Sequence, residues 1–147
     1  FSLRLLEKGF ETALIPEAYV YHKRRSTFKQ FFKQVYNSGI ARINLYLAHP
    51  KSLKLVHFLP AFFVKVMILS VILSFFFPIF ILVPLLYSLL VLIDSTLKNN
   101  SLKVGLYSIA AAWTQLFGYG TGFISAVWKR LILRKGEFKA FEKKFYE

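Results

Sequence analysis

The feature that most limits what this chain can fold into is an uncharged, strongly apolar run from Val66 to Ile93. A stretch of about 18 or more apolar residues is long enough for a helix to cross a bilayer. Basic flanks surround it, because residues 1–57 carry ten Lys or Arg against three Glu, and residues 129–147 carry seven against three. The sequence therefore predicts an integral membrane protein.

The net charge of +13 has more than one possible meaning, including nucleic-acid binding. Here the basic residues flank apolar segments, which is where the positive-inside rule and anionic lipid head groups place them. We therefore expect membrane lipid as a partner, no nucleic acid, and a cytoplasmic location for the N-terminal part. The chain has no cysteine, which excludes disulfides and thiolate metal sites.

Residues 1–25 have the pattern of the end of an α/β domain. Ser2–Lys8 resembles the last turns of an amphipathic helix that stops at Gly9, a residue favoured just past a helix C-terminus. Two short strands are predicted, at Thr12–Ile15 and Ala18–His22. Because the pattern opens in the middle of a helix, we expect the chain to be a piece of a longer protein.

Residues 26–57 are predicted to form an amphipathic helix and a linker. Ser26 or Thr27 can cap the helix, and His49-Pro50 ends it, because proline disfavours helix in the residue before it. The apolar side contains Phe28, Phe31, Phe32, Val35, Ile40, Ile43 and Leu47, and the polar side contains Lys29, Gln30, Lys33, Gln34, Asn37 and Arg42. Two interpretations remain open, which are a helix in the membrane interface and a surface helix packed on another domain.

Residues 58–128 are predicted to be the membrane region, and residues 129–147 a basic tail. Three hydrophobic segments follow one another in this region, at Phe58–Phe77, Ile79–Ile93 and Val104–Trp128. Pro78 marks a turn or kink between the first two. The second segment is short for a span unless Asp94 to Lys98 extends it, and these two residues are spaced to pair on one helix face.

Three full spans would place the two basic flanks on opposite sides of the membrane, against the positive-inside rule. Either one segment is re-entrant or interfacial, or the C-terminal basic stretch lies outside despite its charge. The third segment contains the glycine-rich stretch Gly118–Gly122, and it is our candidate for the irregular one. For the glycines themselves, close helix packing is the favoured interpretation. The alternative is a groove for the lipid tail of an acceptor.

One stretch has the pattern of a phosphate site. The second predicted strand ends at His22 and is followed by Lys23, Arg24 and Arg25, while Gln34, Ser38 and Arg42 recur at four-residue steps along the next helix. Arginine binds phosphate bidentately, and such cations stabilise a diphosphate leaving group. From charge alone, the favoured alternative is that these cations only obey the positive-inside rule.

Several residues together carry a resemblance to a known family. These are Phe1–Phe10, Ala13–Pro16, Val20–His22, Arg25–Ser26, Phe32, Gln34, Gly39, Arg42 and Tyr119–Phe123. In this order and spacing, the chain resembles the C-terminal part of membrane-associated family 2 glycosyltransferases, of the branch that builds bacterial surface and exopolysaccharides. The resemblance implies the α/β tail of a GT-A-like nucleotide-sugar domain, followed by an α-helical membrane region with two to three hydrophobic helices.

The resemblance also implies roles for single residues. His22 would lie near a metal and the nucleotide diphosphate, as a tentative metal ligand, and Arg24, Arg25, Gln34 and Arg42 would bind substrate. The sequence after Gln34 departs from the Gln-x-x-Arg-Trp motif of processive relatives, which favours transfer of one sugar at a time. The general base and the Asp-x-Asp motif that binds Mg²⁺ or Mn²⁺ would lie before Phe1, so we expect this chain alone to be inactive.

The expected parent enzyme transfers a sugar from a nucleotide-sugar donor to a lipid-linked or growing glycan acceptor, at the bacterial inner membrane. The alternative is a non-enzymatic membrane anchor or scaffold, or a transporter fragment, with a basic helix that binds lipid. Only Lys65, Asp94 and Gln115 are polar candidates within the hydrophobic segments, which is few for a transport path.

Overall fold

The computed structural model describes residues 5, 6, 8–11, 13–21 and 27–136, and the regular structure within them is entirely helical. The four α-helices of this part of the chain are α1 (Phe28–Ala48), α2 (Leu59–Ser74), α3 (Leu82–Asn99) and α4 (Leu102–Ala126). Short 3-10 helices occupy Pro50–Ser52, Leu55–Phe58 and Pro78–Ile81, and a π-helical segment, Val127–Ile132, follows α4.

The predicted α/β tail is wrong, since no strand occurs in the described residues. Ala13–Ile15 and Ala18–Tyr21 form no strand, and Val20 and Tyr21 are 89% and 96% exposed. A strand exists only when its backbone pairs with a neighbour, so an alternating pattern without a partner does not form one. Gly9 does adopt the left-handed conformation of a helix end, with φ +80°.

Helix α1 has the limits predicted from its caps. The side-chain oxygen of Thr27 accepts a hydrogen bond from the backbone N–H of Gln30 at 3.3 Å, and the helix ends just before His49. Its buried residues are Asn37, Gly39, Ile40 and Ile43, and this face packs on α4. Helix α1 therefore packs on the other helices of the chain itself, and both predicted interpretations, the interfacial helix and the helix packed on another domain, stay predictions.

Two segments within the described residues, Leu55–Ser74 and Pro78–Asn99, are long and apolar enough to cross a membrane. The most apolar part of Pro78–Asn99 has none of its residues buried in the protein. The central helix of a soluble domain would be mostly buried, so this exposure favours association with a membrane. As predicted, α3 continues through Asp94, which forms an ion pair with Lys98 at 2.8 Å.

Helix α4 is the element on which the other three pack. It is antiparallel to α3, because Ser95 pairs with Ser108 through their hydroxyls at 2.7 Å while the indole N–H of Trp113 donates to Ser88 at 3.0 Å. A small core joins α1, α2 and α4, and it consists of Ile40, Ile43, Ala61, Phe123 and Ala126. An aromatic cluster joins α2, α3 and α4, and it consists of Phe63, Tyr87, Trp113 and Phe117.

The glycine-rich part of the third hydrophobic segment is not irregular, because α4 is one continuous helix through Gly118, Gly120 and Gly122. This segment is not one of the two described segments that are long and apolar enough to cross a membrane, and its re-entrant or interfacial placement stays a prediction. These glycines are buried at close helix contacts. A Cβ on Gly118 would meet the side chain of Val35, and one on Gly122 would meet the backbone of Tyr36. The favoured packing interpretation of this stretch is therefore confirmed, and α1 covers the place proposed for a lipid tail.

The start of α2 and the end of α4 lie at the same end of the helices. The ring of Phe58, at the start of α2, is 5.2 Å from that of Phe123, and Ile43 of α1 packs in the same cluster as Ala126. Lys129 and Arg130 follow directly after α4. Lys54, just before the 3-10 helix that leads into α2, and the two cations after α4 therefore belong to the same end of the described helices.

Candidate functional site

The predicted site residues divide into two groups. His22, Arg24 and Arg25 lie outside the described residues. Gln34 and Arg42 lie on α1, two turns apart on one side, with Ser38 between them. The hydroxyl of Ser38 donates to the backbone carbonyl of Gln34 at 3.1 Å, so its oxygen keeps only acceptor capacity toward any ligand.

Arg42 lines a cavity of about 400 Å³ between α1, the start of α2 and the middle of α4. The polar side chains that line it are Ser38, Arg42, His57, Gln115 and Tyr119, and we call this cavity the polar pocket. Gln34 is exposed and does not line it. The structure therefore joins one predicted substrate-binding residue, Arg42, to three polar residues that the sequence did not connect with it.

The orientation of His57 is determined by the turn in which it lies. Its Nδ1 accepts a hydrogen bond from the backbone N–H of Lys54 at 2.9 Å, across the 3-10 helix Leu55–Phe58. Because a backbone N–H only donates, Nδ1 is unprotonated and Nε2 carries the proton of the neutral ring. The ring therefore retains one hydrogen-bond donor, on Nε2.

The polar pocket is rich in hydrogen-bond donors and positively charged. The Arg42 guanidinium, the His57 Nε2–H, the Gln115 amide and the Tyr119 hydroxyl all have donor groups. No carboxylate lines the pocket, and Asp94, the acidic residue of α3, is paired with Lys98. An anion with several oxygens, such as a phosphate, matches this set of groups.

Sequence reasoning missed His57 and Tyr119 as pocket residues, and it noted Gln115 only as a polar residue in an apolar helix. A polar residue in such a helix is itself a signal of function, so Gln115 could have been found this way. His57 has no local signal, because its role depends on the packing of α2 against α1. Tyr119 was assigned to a glycine-rich pattern, and its side chain reaches the pocket because Gly118 and Gly122 let α1 approach.

The residues that the structure describes do not include a group of three or more His, Cys, Asp or Glu that could hold a metal ion. The predicted Mg²⁺ or Mn²⁺ was assigned mainly to residues before Phe1 and to His22, none of which is described. The described residues therefore give no metal site, and we assign no chemical step to a metal here.

The fold and the pocket define a class of protein. It is a helical bundle with exposed apolar helices, and it has a cationic pocket near the start of the apolar helix α2. Comparison with protein-family models gives no match, and comparisons with curated proteins and with solved structures give none either. The resemblance to family 2 glycosyltransferases therefore stays a prediction from the sequence.

Proposed function

We propose that this chain is the membrane-embedded part of a glycosyltransferase, and that its polar pocket binds the phosphate of a lipid-linked acceptor. The observation that carries this proposal is the convergence of Arg42, His57 and Gln115, from three separate helical elements, on one cavity. The family resemblance supports the reaction class. The pocket supports the binding of an anionic group.

Membrane embedding is supported by the surface of the described helices. Leu85, Leu86 and Leu90 of α3 are each more than half exposed, and water would be a poor solvent for such a face. The cations at one end of α4 indicate an orientation with that end in the cytoplasm, as the positive-inside rule requires. We assign the chain to the bacterial inner membrane on the family resemblance.

The position of the pocket along α2 supports the binding of a lipid phosphate. His57 belongs to the first turn of the apolar segment Leu55–Ser74, and the first turn of a membrane-spanning segment is where head groups meet hydrocarbon. Arg42 would bind two phosphate oxygens at once, and His57 and Gln115 would donate to a third. Such binding would hold the acceptor in one orientation while a nucleotide-sugar donor reacts with it.

A second candidate function is a non-enzymatic anchor that binds anionic lipid. The observation that favours it is that every charged or titratable group in the pocket is a cation or a hydrogen-bond donor, so the pocket residues include no carboxylate to act as a general base. Both candidates require phosphate binding by Arg42. Only the first requires sugar transfer.

The test compares two variants of the protein expressed from its complete gene. Arg42→Gln removes the pocket cation, and Lys51→Gln removes an exposed cation from the turn that follows α1 and serves as the control. Washed membranes are incubated with radiolabelled UDP- and GDP-sugars, and the label in the lipid extract is counted. In parallel, binding of decyl phosphate to the purified protein is measured by calorimetry.

We expect Arg42→Gln to weaken decyl phosphate binding by about 10- to 100-fold, the usual effect of losing hydrogen bonds to a charged group, and Lys51→Gln to leave binding unchanged. A loss of label transfer in Arg42→Gln, with transfer unchanged in Lys51→Gln, supports the transferase. Binding that depends on Arg42, without transfer of any sugar, supports the anchor. Equal binding by both variants would refute a phosphate site in the polar pocket.

A further inference from the structure

A second cavity lies on the other side of the contact between α2 and α4. It has a volume of about 470 Å³ and is lined mainly by apolar side chains. The lining residues that matter here are Phe58, Ala61, Phe62, Lys65, Phe123 and Trp128, and we call this cavity the α2–α4 groove. It is separate from the polar pocket, with which it shares no lining residue.

The groove has a closed floor and open sides. Its floor is formed by Ala61 and Phe123, which are 7% and 3% exposed. Its sides are formed by Phe58, Phe62 and Trp128, which are 44%, 65% and 56% exposed. Large side chains that remain this exposed around a buried floor form a concave apolar surface, the usual shape of a small-molecule site.

Lys65 is the one acidic or basic residue of the groove lining. It has no hydrogen bond or ion pair with the other described residues. Lys65 follows Phe62 by one helical turn and Phe58 by two, so the three residues share one face at the start of α2. A lysine in such a position packs its methylene stem on apolar side chains and keeps its ammonium at the polar edge.

We infer that the α2–α4 groove binds one molecule of an anionic phospholipid. The acyl chain packs against Phe62 and Phe123, and the phosphate pairs with the ammonium of Lys65. Trp128 borders the same groove just before Lys129, and indole rings favour the depth of the head groups. The occupant is an anionic lipid because an apolar groove with one cation in its described lining complements a hydrocarbon chain with a single negative charge.

This inference does not rest on the proposed transferase function. It concerns a different cavity and different residues, and it applies equally to an enzyme and to an anchor. A variant of the polar pocket, such as Arg42→Gln, is therefore expected to keep the groove lipid.

The experiment measures which lipid the protein retains. The chain is incorporated into nanodiscs of equal parts phosphatidylglycerol and phosphatidylcholine, and lipids retained after ejection are identified by native mass spectrometry. Lys65→Gln removes the groove cation, and Lys65→Arg keeps it. Lys103→Gln, which removes an exposed cation at the first turn of α4, is the control.

We expect one retained phosphatidylglycerol on the unmodified protein, on Lys65→Arg and on Lys103→Gln. Lys65→Gln should lower the preference for phosphatidylglycerol over phosphatidylcholine by about fivefold, the usual contribution of one basic residue at an anionic membrane surface. An unchanged preference in Lys65→Gln, or an equal loss in Lys103→Gln, would overturn the inference. A lipid-free dimer would also overturn it, because a second copy would then cover the groove.

Discussion

Replacing Gly122 by alanine tests a close backbone contact between α1 and α4. A Cβ at this position would lie 2.9 Å from the carbonyl carbon of Tyr36 and 3.1 Å from its Cα, and closer still to the carbonyl oxygen. All three atoms belong to the backbone of α1, so no side-chain rotation relieves the overlap. Helix α1 must move away from α4, which loosens the packing of Ile40 and Ile43 against Phe123.

The size of the effect follows from two opposing terms. Overpacking at a buried site costs about 1–3 kcal/mol, and backbone contact places this site near the upper end. Alanine in a helix is more stable than glycine by about 1 kcal/mol, which offsets part of that cost. The net loss is then about 2 kcal/mol, and for a chain of this length it lowers Tm by about 4–8 °C.

Thermal unfolding in detergent, followed by far-UV circular dichroism, measures this change. Gly136→Ala is the control, because a Cβ at Gly136 would have no atom of the described residues within 4 Å. The control should unfold at the temperature of the unmodified protein. If Gly122→Ala is as stable as the control, or more stable, α1 does not pack against α4 as described here.

Two further predictions concern single hydrogen bonds. Trp113→Phe removes the indole N–H that donates to Ser88, and we expect a loss of about 0.5–1 kcal/mol in thermal unfolding; no loss would mean that this bond contributes nothing to stability. Thr27→Ala removes the cap of α1, at a cost of about 1 kcal/mol that is local to the first turn. Hydrogen exchange should then speed up at the amides of residues 28–30, and unchanged rates would contradict the capping role of Thr27.

The limits of the helices could be predicted where local chemistry sets them. Thr27 satisfies a free N–H at the start of α1, and Pro50 prevents its continuation, so both ends depend on a few neighbouring residues. Pro78 likewise separates α2 from α3. Local signals failed where the outcome depends on distant residues. The alternation in Ala18–Tyr21 predicts a strand only if another strand pairs with it.

The glycines of α4 also depend on distant residues, but here the local signal predicted too little regular structure, where in Ala18–Tyr21 it predicted too much. By propensity alone, three glycines within five residues weaken a helix, which is why an irregular segment was predicted. In the fold, each glycine removes a side chain where another helix approaches, so packing compensates for the loss. The proximity of Arg42 and His57 could not be predicted for the same reason, because it arises only when α1 and α2 pack on α4.

The polar pocket and the α2–α4 groove depend on one helix contact. Gly120 of α4 faces α2 there, and a Cβ on it would lie 2.9 Å from the carbonyl carbon of Pro60 and 2.7 Å from a methyl group of Val64. Pro60 lines the polar pocket, while the next residue, Ala61, forms the floor of the groove. A change at Gly120 would therefore disturb both cavities together, whereas Arg42 and Lys65 each project into one of them. Variants of these two side chains can therefore test the proposed phosphate binding in the pocket and the proposed lipid binding in the groove separately, and variants of the helix contact cannot.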